Sequence, residues 1–533
     1  MANLVSPGYE RSALINNILA PNEERVIEFK GLNRRDMVEE GEMSDMMNLT
    51  SDNYPLLTPR KLRGVYPLPE DVTVPLKIMA RYNRIAMIAR YTYEDENEEE
   101  QEAIGFFFDG ELQSQVTGLT EATEMVAINT KICFFPQKSY VEVRQSGSEV
   151  IVGDFGYLGY STTLTAAQVA LSNADARLTI SAPSTGYSIG YDDAVDIHIV
   201  SYTPDGGSAT GTDFNISAAI EEVIESDSIL TLVLPRESFI EMTGEGVSSL
   251  TISGTLKRDV PDMDMVIEWN NRLWGASSEE NTIYACKLGD PKNWHYFQAT
   301  SLDSYYAQQG TDGVWTGCAA YSSHIIFFKQ NGMARIYGSA PSNYQITNTK
   351  CYGVEEGSRG SVVTINDTVF YSSVVGIMAY DGGTPYCVSE KLGKKFKYVV
   401  AGSDGAKYYA SIRTKDVGPE LMVLDINRGV WHKEDQPILV STCQIDDRMY
   451  FIEHDSEYLK CGNSVMCNSY LLCGMGEPKE GVIKVVNPAS ATETYDEMEW
   501  SATFGPFDEF IENRKIYSKI LMRLLRKSDS YVN

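Results

Sequence analysis

The side chains that most often carry chemistry are few in this chain and badly spaced for it. There are five His in 533 residues, and none stands at the spacing of a nucleophile–base pair or of a metal-ligand set. His454 followed by Cys461, Cys467 and Cys473 supplies zinc-type ligands. The five-residue gaps between the cysteines, however, are wider than the short knuckle that closes a tetrahedral site. Asp262-Met-Asp264 is only a fragment of a calcium loop. Carboxylates are everywhere and so single out nothing: Glu94 to Glu102 holds seven in nine residues and reads as a solvated loop between two strands. Trp269, Trp274, Trp294 and Trp315 could line a sugar cleft, but at strand positions they read first as packing residues. No glycine loop suited to phosphate appears. The residues therefore assign no catalytic, cofactor-binding or metal-binding position, and no cofactor. The reading is of a protein that is not an enzyme.

Composition narrows what remains. Apolar residues make 43% of the chain and aromatics 11%, with 32 Tyr and 42 Gly. No apolar run is long enough to cross a bilayer, which points to a globular all-β protein without a membrane anchor. Met1 to Ile18 lacks a basic start followed by an apolar stretch, so no secretion signal is read and folding is expected in a cytosol. Nine Cys fit free, buried thiols in a reducing compartment. The formal charge of −29, from 45 Lys and Arg against 74 Asp and Glu, repels phosphate and argues against stable nucleic-acid binding.

The elements that must position these residues recur. A polar turn followed by a β-rich, often aromatic run occurs seven times, marked by Asn83, Asn129, Asn271, Ser323, Asn366, Gly405 and Asp446. Several copies follow an apolar run such as Met265 to Trp269, so the unit is a hairpin with a tight turn. Successive markers are 46, 142, 52, 43, 39 and 41 residues apart. A period of about 40 to 50 residues with several short strands is the signature of a propeller blade, giving six or seven blades; unrelated hairpins in β-sandwiches are the alternative.

The long spacing holds one period plus roughly 95 residues. The excess, Gly153 to Leu256, is rich in Ser, Thr, Ala and Gly and nearly free of Lys and Arg. Asp196 to Val200 and Leu230 to Leu234 alternate as strands do. This reads as a small β-rich domain looped out of the second blade, with one helix near Ile216 to Ile224. The expected organisation is an extended N-terminal arm over 1–69, blades over 70–152 and 257–480, the insertion over 153–256, and C-terminal strands over 481–533. Those last strands include Glu497 to Phe504 and Ile516 to Leu524; ending at Arg526 to Ser530, they suggest a hairpin whose second arm lies past Asn533.

Two stretches resemble a known family. The arm reads Gly31 to Arg35, Gly41 to Asn48 and Ser51 to Arg60, similar to the opening of phage structural proteins. Asn271-Arg-Leu-Trp-Gly275, Ile283-Tyr-Ala285 and Leu288-Gly-Asp-Pro-Lys-Asn-Trp294 resemble a blade of the stabilisation, or tail hub and nozzle, proteins of short-tailed bacteriophages. Phe327 to Lys329, Ile336 to Gly338 and Gly376 to Gly382 continue the likeness, which spans Gly31 to Val150 and Asp262 to Asp455. The resemblance implies a virion protein assembled in the host cytoplasm. It implies a ring, usually of six copies, below the portal and adaptor proteins and around the channel through which DNA leaves. It transfers no site residues. An acidic channel would let DNA slide without sticking. The rival readings are a glycan-degrading tail propeller and a receptor-binding protein working through its insertion. In the ring, Leu14, Ile15, Ile18 and Met46 of the arm are expected to be covered by neighbouring chains.

Overall fold

The computed structural model describes residues 28–504 except 40, 57, 96, 98, 209, 227, 243–246, 394–395, 414–418, 455–480 and 489–497. Seven four-stranded antiparallel sheets follow one another through them. Their first strands are Val72–Arg81, Glu124–Ile128, Met265–Trp269, Trp315–Ala320, Val363–Ile365, Lys397–Ser403 and Ile438–Ile445. Each touches the first strand of the next sheet, and the seventh touches the first. The fold is a seven-bladed β-propeller carrying one inserted β-domain.

Burial on both faces of each blade explains the sequence texture. In the fourth blade, the strand His324–Lys329 is buried throughout. Ile325 and Phe327 pack with Trp274 and Trp315 in the core shared with the third blade. Ile326 and Phe328 pack with Tyr371 and Tyr380 in the core shared with the fifth. Side chains still alternate, but both faces are covered, so the sequence shows a continuous apolar run. Every pair of adjacent blades encloses such a cluster.

All seven polar markers fall in the turn between the first and second strands of successive blades. Tyr82 and Asn83, and likewise Asn270 and Asn271, both have positive φ, between 50° and 58°. Two such residues make the primed turn whose twist matches antiparallel strands. Asn129, Asn366 and Asp446 are left-handed at the first of the two turn residues in their blades, and Gly405 has positive φ within a longer turn between Ser403 and Tyr408. Asn and Asp tolerate that conformation because a short polar side chain can hydrogen-bond locally.

The ring closes by borrowing from the N-terminus. The seventh blade takes Ile438–Ile445, Arg448–His454 and Gly481–Val485 from the C-terminal half, and its outer strand, Gly64–Tyr66, from the arm. Ile483 pairs with Tyr66 and Val485 with Gly64. Ser501–Phe504 pairs with Met43–Met47 of the arm. Ile516 to Leu524 and the chain's end lie outside the described residues. The acidic run proves partly regular: Glu94 pairs with Glu100, so the hairpin continues into it, and Asp95 accepts the N–H groups of Asn97 and Glu99 at the tip.

The insertion follows the second blade instead of interrupting it. Gly153 belongs to Glu149–Tyr157, the blade's outer strand. The inserted sheet runs from Tyr160 to Arg258, which are partners, so its two ends lie side by side. Its seven strands fold over one core, from Val169 and Leu178 through Ile199 and Leu232 to Ile252. The expected helix near Ile216 is absent: Thr210–Ala219 and Glu222–Ser226 are strands. Ile216 and Ala218 are buried while Asn215 and Ser217 are exposed, a period of two that outweighs the helix propensity of the local alanines.

Ile483 sits mid-strand between Ile452 and Tyr66, and since the Val486 N–H donates to the Met449 carbonyl, alternation turns the Ile483 N–H to Tyr66, where proline would interrupt the closing ladder. Ile483→Pro leaves the Tyr66 carbonyl without its donor and is expected to cost about 1–3 kcal/mol, read as a lowered urea midpoint. A midpoint equal to wild type would show that the ring does not depend on this closure.

Candidate functional site

The residues singled out for chemistry are dispersed and employed in structure. Trp269, Trp274, Trp294 and Trp315 are all buried, Trp274 completely, so they pack blades instead of lining a mouth. His198 lies on the insertion beside Asn215, and His324 binds the Tyr380 hydroxyl at 2.8 Å. Burial, with the charge of Arg335, holds His324 down at about 4, so it is neutral at physiological pH. His454 faces the Pro75 carbonyl; Cys461, Cys467 and Cys473 lie outside the described residues. Among the described residues no three His, Cys, Asp or Glu come together as a metal site. Asp262 pairs with Lys138 at 2.6 Å, and Asp264 accepts the Ser278 N–H at 2.7 Å.

Charge concentrates in three places. The first is the middle of the propeller, where Glu124 of the second blade's first strand binds Arg359 at 2.9 Å and Lys77 at 3.8 Å. Arg359 precedes the fifth blade, so the pair spans the central axis, and Arg359 also donates to the Asp264 carbonyl. The propeller's own centre is thus crossed by side chains.

The second is the joint between insertion and third blade. Arg258 and Asp193 form an ion pair with both side chains under 4% exposed, and Arg258 also donates to the Leu158 carbonyl. Asn293 donates to Asp193 at 3.0 Å and accepts the Ala194 N–H at 2.8 Å. Lys287 binds Asp192 at 2.5 Å, and the Tyr296 hydroxyl donates to the same carboxylate. Burial alone would raise Asp192, but Lys287 and Tyr296 prevail and its pKa is lowered. The segment Asn271 to Trp294 supplies Lys287 and Asn293 to this seat, and its Arg272, Trp274, Asn293 and Trp294 are each at most 1% exposed. Sequence reasoning missed Asp193, Arg258, Lys287 and Asn293. One available signal was the scarcity of cations in the insertion, which makes Arg258 conspicuous.

The third is the bed of the arm. Arg34 grips Glu420 with two bonds of 2.7 Å, and Lys433 reaches both Asp45 and Glu420. Lys391 binds Glu42, Lys407 binds Asp52, and Arg63 binds Glu434 at 3.0 Å and Asp435 at 2.8 Å. Phe29, Leu32, Met43, Met46 and Leu49 join the core between the fifth and sixth blades. This corrects the expectation for Met46: it is fully buried against its own propeller, because the arm runs along the sixth blade's outer strand, where the Leu32 N–H donates to the Trp431 carbonyl. Leu14, Ile15 and Ile18 lie outside the described residues.

Comparison with protein-family models and with curated proteins gives no match. Among solved structures, Hsv2 of Kluyveromyces lactis aligns at 11% identity and a TM-score of 0.27, over 48% of this chain and 70% of that one. A putative 6-phosphogluconolactonase from Bacteroides uniformis aligns at 14% and 0.24, over 50% and 93%. A puromycin-hydrolysing peptidase of Mycobacterium tuberculosis aligns at 7% and 0.25, over 74% and 62%. Likeness this distant brings nothing to this chain's activity, and the propeller rests on its own sheets and closed ring.

Two outcomes follow from the buried charges. Asp193→Ala leaves Arg258 buried without its carboxylate, an expected loss of about 3–5 kcal/mol. Asp193→Leu with Arg258→Met should recover most of it in calorimetric melting, and equal losses would refute the ion pair's role. Burial alone would raise Glu434, but His432, 3.6 Å away, and the charges of Arg63 and Arg60 bring it down to about 2. Its folded value is depressed, so its contribution is complete above pH 4.5 and disappears as pH falls towards 2. Acid melts of wild type should weaken through that window by about 3 kcal/mol more than melts of Glu434→Gln; parallel curves would contradict it.

Proposed function

We propose that this chain is a structural protein of a bacteriophage tail, one subunit of a six-membered ring that forms the hub or nozzle below the portal and adaptor proteins. The observation that carries the reading is the use made of the phage-like segment. Its Arg272, Trp274, Asn293 and Trp294 are framework, holding a blade together and seating the inserted domain. A motif spent on framework marks an architecture, as expected of an assembly part.

The electrostatics support the same role. Acidic residues exceed basic ones by 74 to 45, and many described cations are already held by the chain's own carboxylates, as Arg34, Arg63, Arg258 and Lys407 are. Cations so held do not grip phosphate, so DNA passing such an acidic surface would slide. The passage would be the hole in the ring of subunits, since Glu124 and Arg359 cross the centre of each propeller. A glycan-degrading role has less support, because the four candidate tryptophans are consumed in packing.

Reconstruction of the intact particle by electron microscopy is the direct test. The expected result is six copies around the portal axis, with carboxylates outnumbering Lys and Arg on the lumen. An isolated peripheral monomer, or a basic lumen, would overturn the conduit and leave receptor binding as the better account.

A further inference from the structure

One flank of the propeller carries an apolar surface that its own chain leaves open. Phe297 and Tyr306 meet edge to face at 5.8 Å while 47% and 59% exposed. Leu302 lies in the same loop, which the Ser304 N–H closes onto the Tyr296 carbonyl, and Leu288 is bonded to it through the backbone. Leu302 and Leu288 are 39% and 37% exposed. Tyr191 of the insertion, 76% exposed, stands close to Tyr296. The loop is firmly built, since Arg272 donates to the carbonyls of Cys286, Ser301, Leu302 and Asp303. A rigid, clustered, solvent-facing apolar patch marks a contact with another surface.

The chain's own geometry identifies the occupant. The arm docks on the sixth blade, with Arg34 and Leu32 fixed against Lys391 and Trp431. The patch belongs to the third blade, three blades away, which in a sevenfold circle is roughly 150° round the propeller. A ring repeats one heterologous contact, and that contact needs two different surfaces on well-separated flanks of each subunit. Residues 1–27 lead into the docked arm and contain Leu14, Ile15, Ile18 and Leu19. Extended, they reach at most roughly 90 Å, against a breadth of roughly 60 Å for a globule of this length. We infer that residues 1–27 of one copy cover the Phe297–Tyr306 patch of the next. This rests on the ring reading and specifies its contact.

The test uses two full-length variants, one with Leu14→Asp, Ile15→Asp and Ile18→Asp, the other with Phe297→Ser and Tyr306→Ser. Melting temperatures matching wild type establish that both fold. In sedimentation velocity each variant should need at least tenfold more protein than wild type to form rings. Mixed together, they should stop at heterodimers, because only one productive contact per pair survives. If either variant assembles as wild type does, the inference is wrong and the ring reading stands. If wild type forms no ring in solution or in the particle, the ring reading falls. A labelled peptide of residues 1–27 then decides the contact alone: saturable binding to the wild-type chain, at least tenfold weaker to the Phe297→Ser, Tyr306→Ser variant, supports it. No binding overturns it.

Discussion

A four-stranded blade has two apolar faces, and neither can stay wet. Each face here is covered by the neighbouring blade, so the seven interblade cores exist together only while the circle is closed. What closes it is a three-residue strand: Gly64–Tyr66 on Gly481–Val485. Its few backbone hydrogen bonds are worth roughly 1 kcal/mol each, little beside the entropy of joining two ends of the chain so far apart. The arm makes up the difference, with Leu32, Met43, Met46 and Leu49 buried before the closing strand is reached. Arg63, next to that strand, is pinned to Glu434 and Asp435 in the connection from the sixth blade to the seventh. Closure is therefore a property of the arm as a whole.

That dependence explains which parts of the structure could be read in advance. Turns are local: a residue at positive φ favours Asn, Asp or Gly, and that requirement leaves a mark in six of the seven turns, with the polar Ser323 in the remaining one. Blade period and the existence of an insertion follow from those marks alone. The arm's destination is not local. Arg34 and Glu420 are 386 residues apart, and nothing near either one distinguishes a buried bidentate pair from two solvated charges. The same holds for Arg258 and Asp193 at the insertion's joint. The misread helix has a different cause. Ile216, Ala218 and Ile220 are spaced for a strand, but the short polar and acidic residues around them match either period over so few positions.

Paired charge in this protein, buried at the first two places and half-exposed at the third, appears where separate parts of the chain are set in one orientation: arm on blade, insertion on blade, and blade across the central axis. Apolar contact would hold those parts together at several angles, since it is non-directional. A bidentate Arg–carboxylate pair, or Asn293 donating to Asp193 while accepting from Ala194, permits one. The desolvation cost of such pairs can equal their attraction, so their use at these joints is better explained by orientation than by added stability.

Orientation would matter most in the proposed ring, where each subunit meets copies of itself. A circle of identical subunits closes only if every contact repeats the same angle, and a small error at the contact accumulates around the ring. The flank exposing Phe297 and Tyr306 is set by the Arg272-bound loop, and its position relative to the sixth blade by the closed propeller between them. The insertion is fixed to that same loop through Lys287, Asn293 and Tyr296, so it cannot swing without disturbing the flank. The described side chains that might have served chemistry are thus committed to fixing angles, and in the proposed ring the surfaces left free would pass those angles to a neighbour.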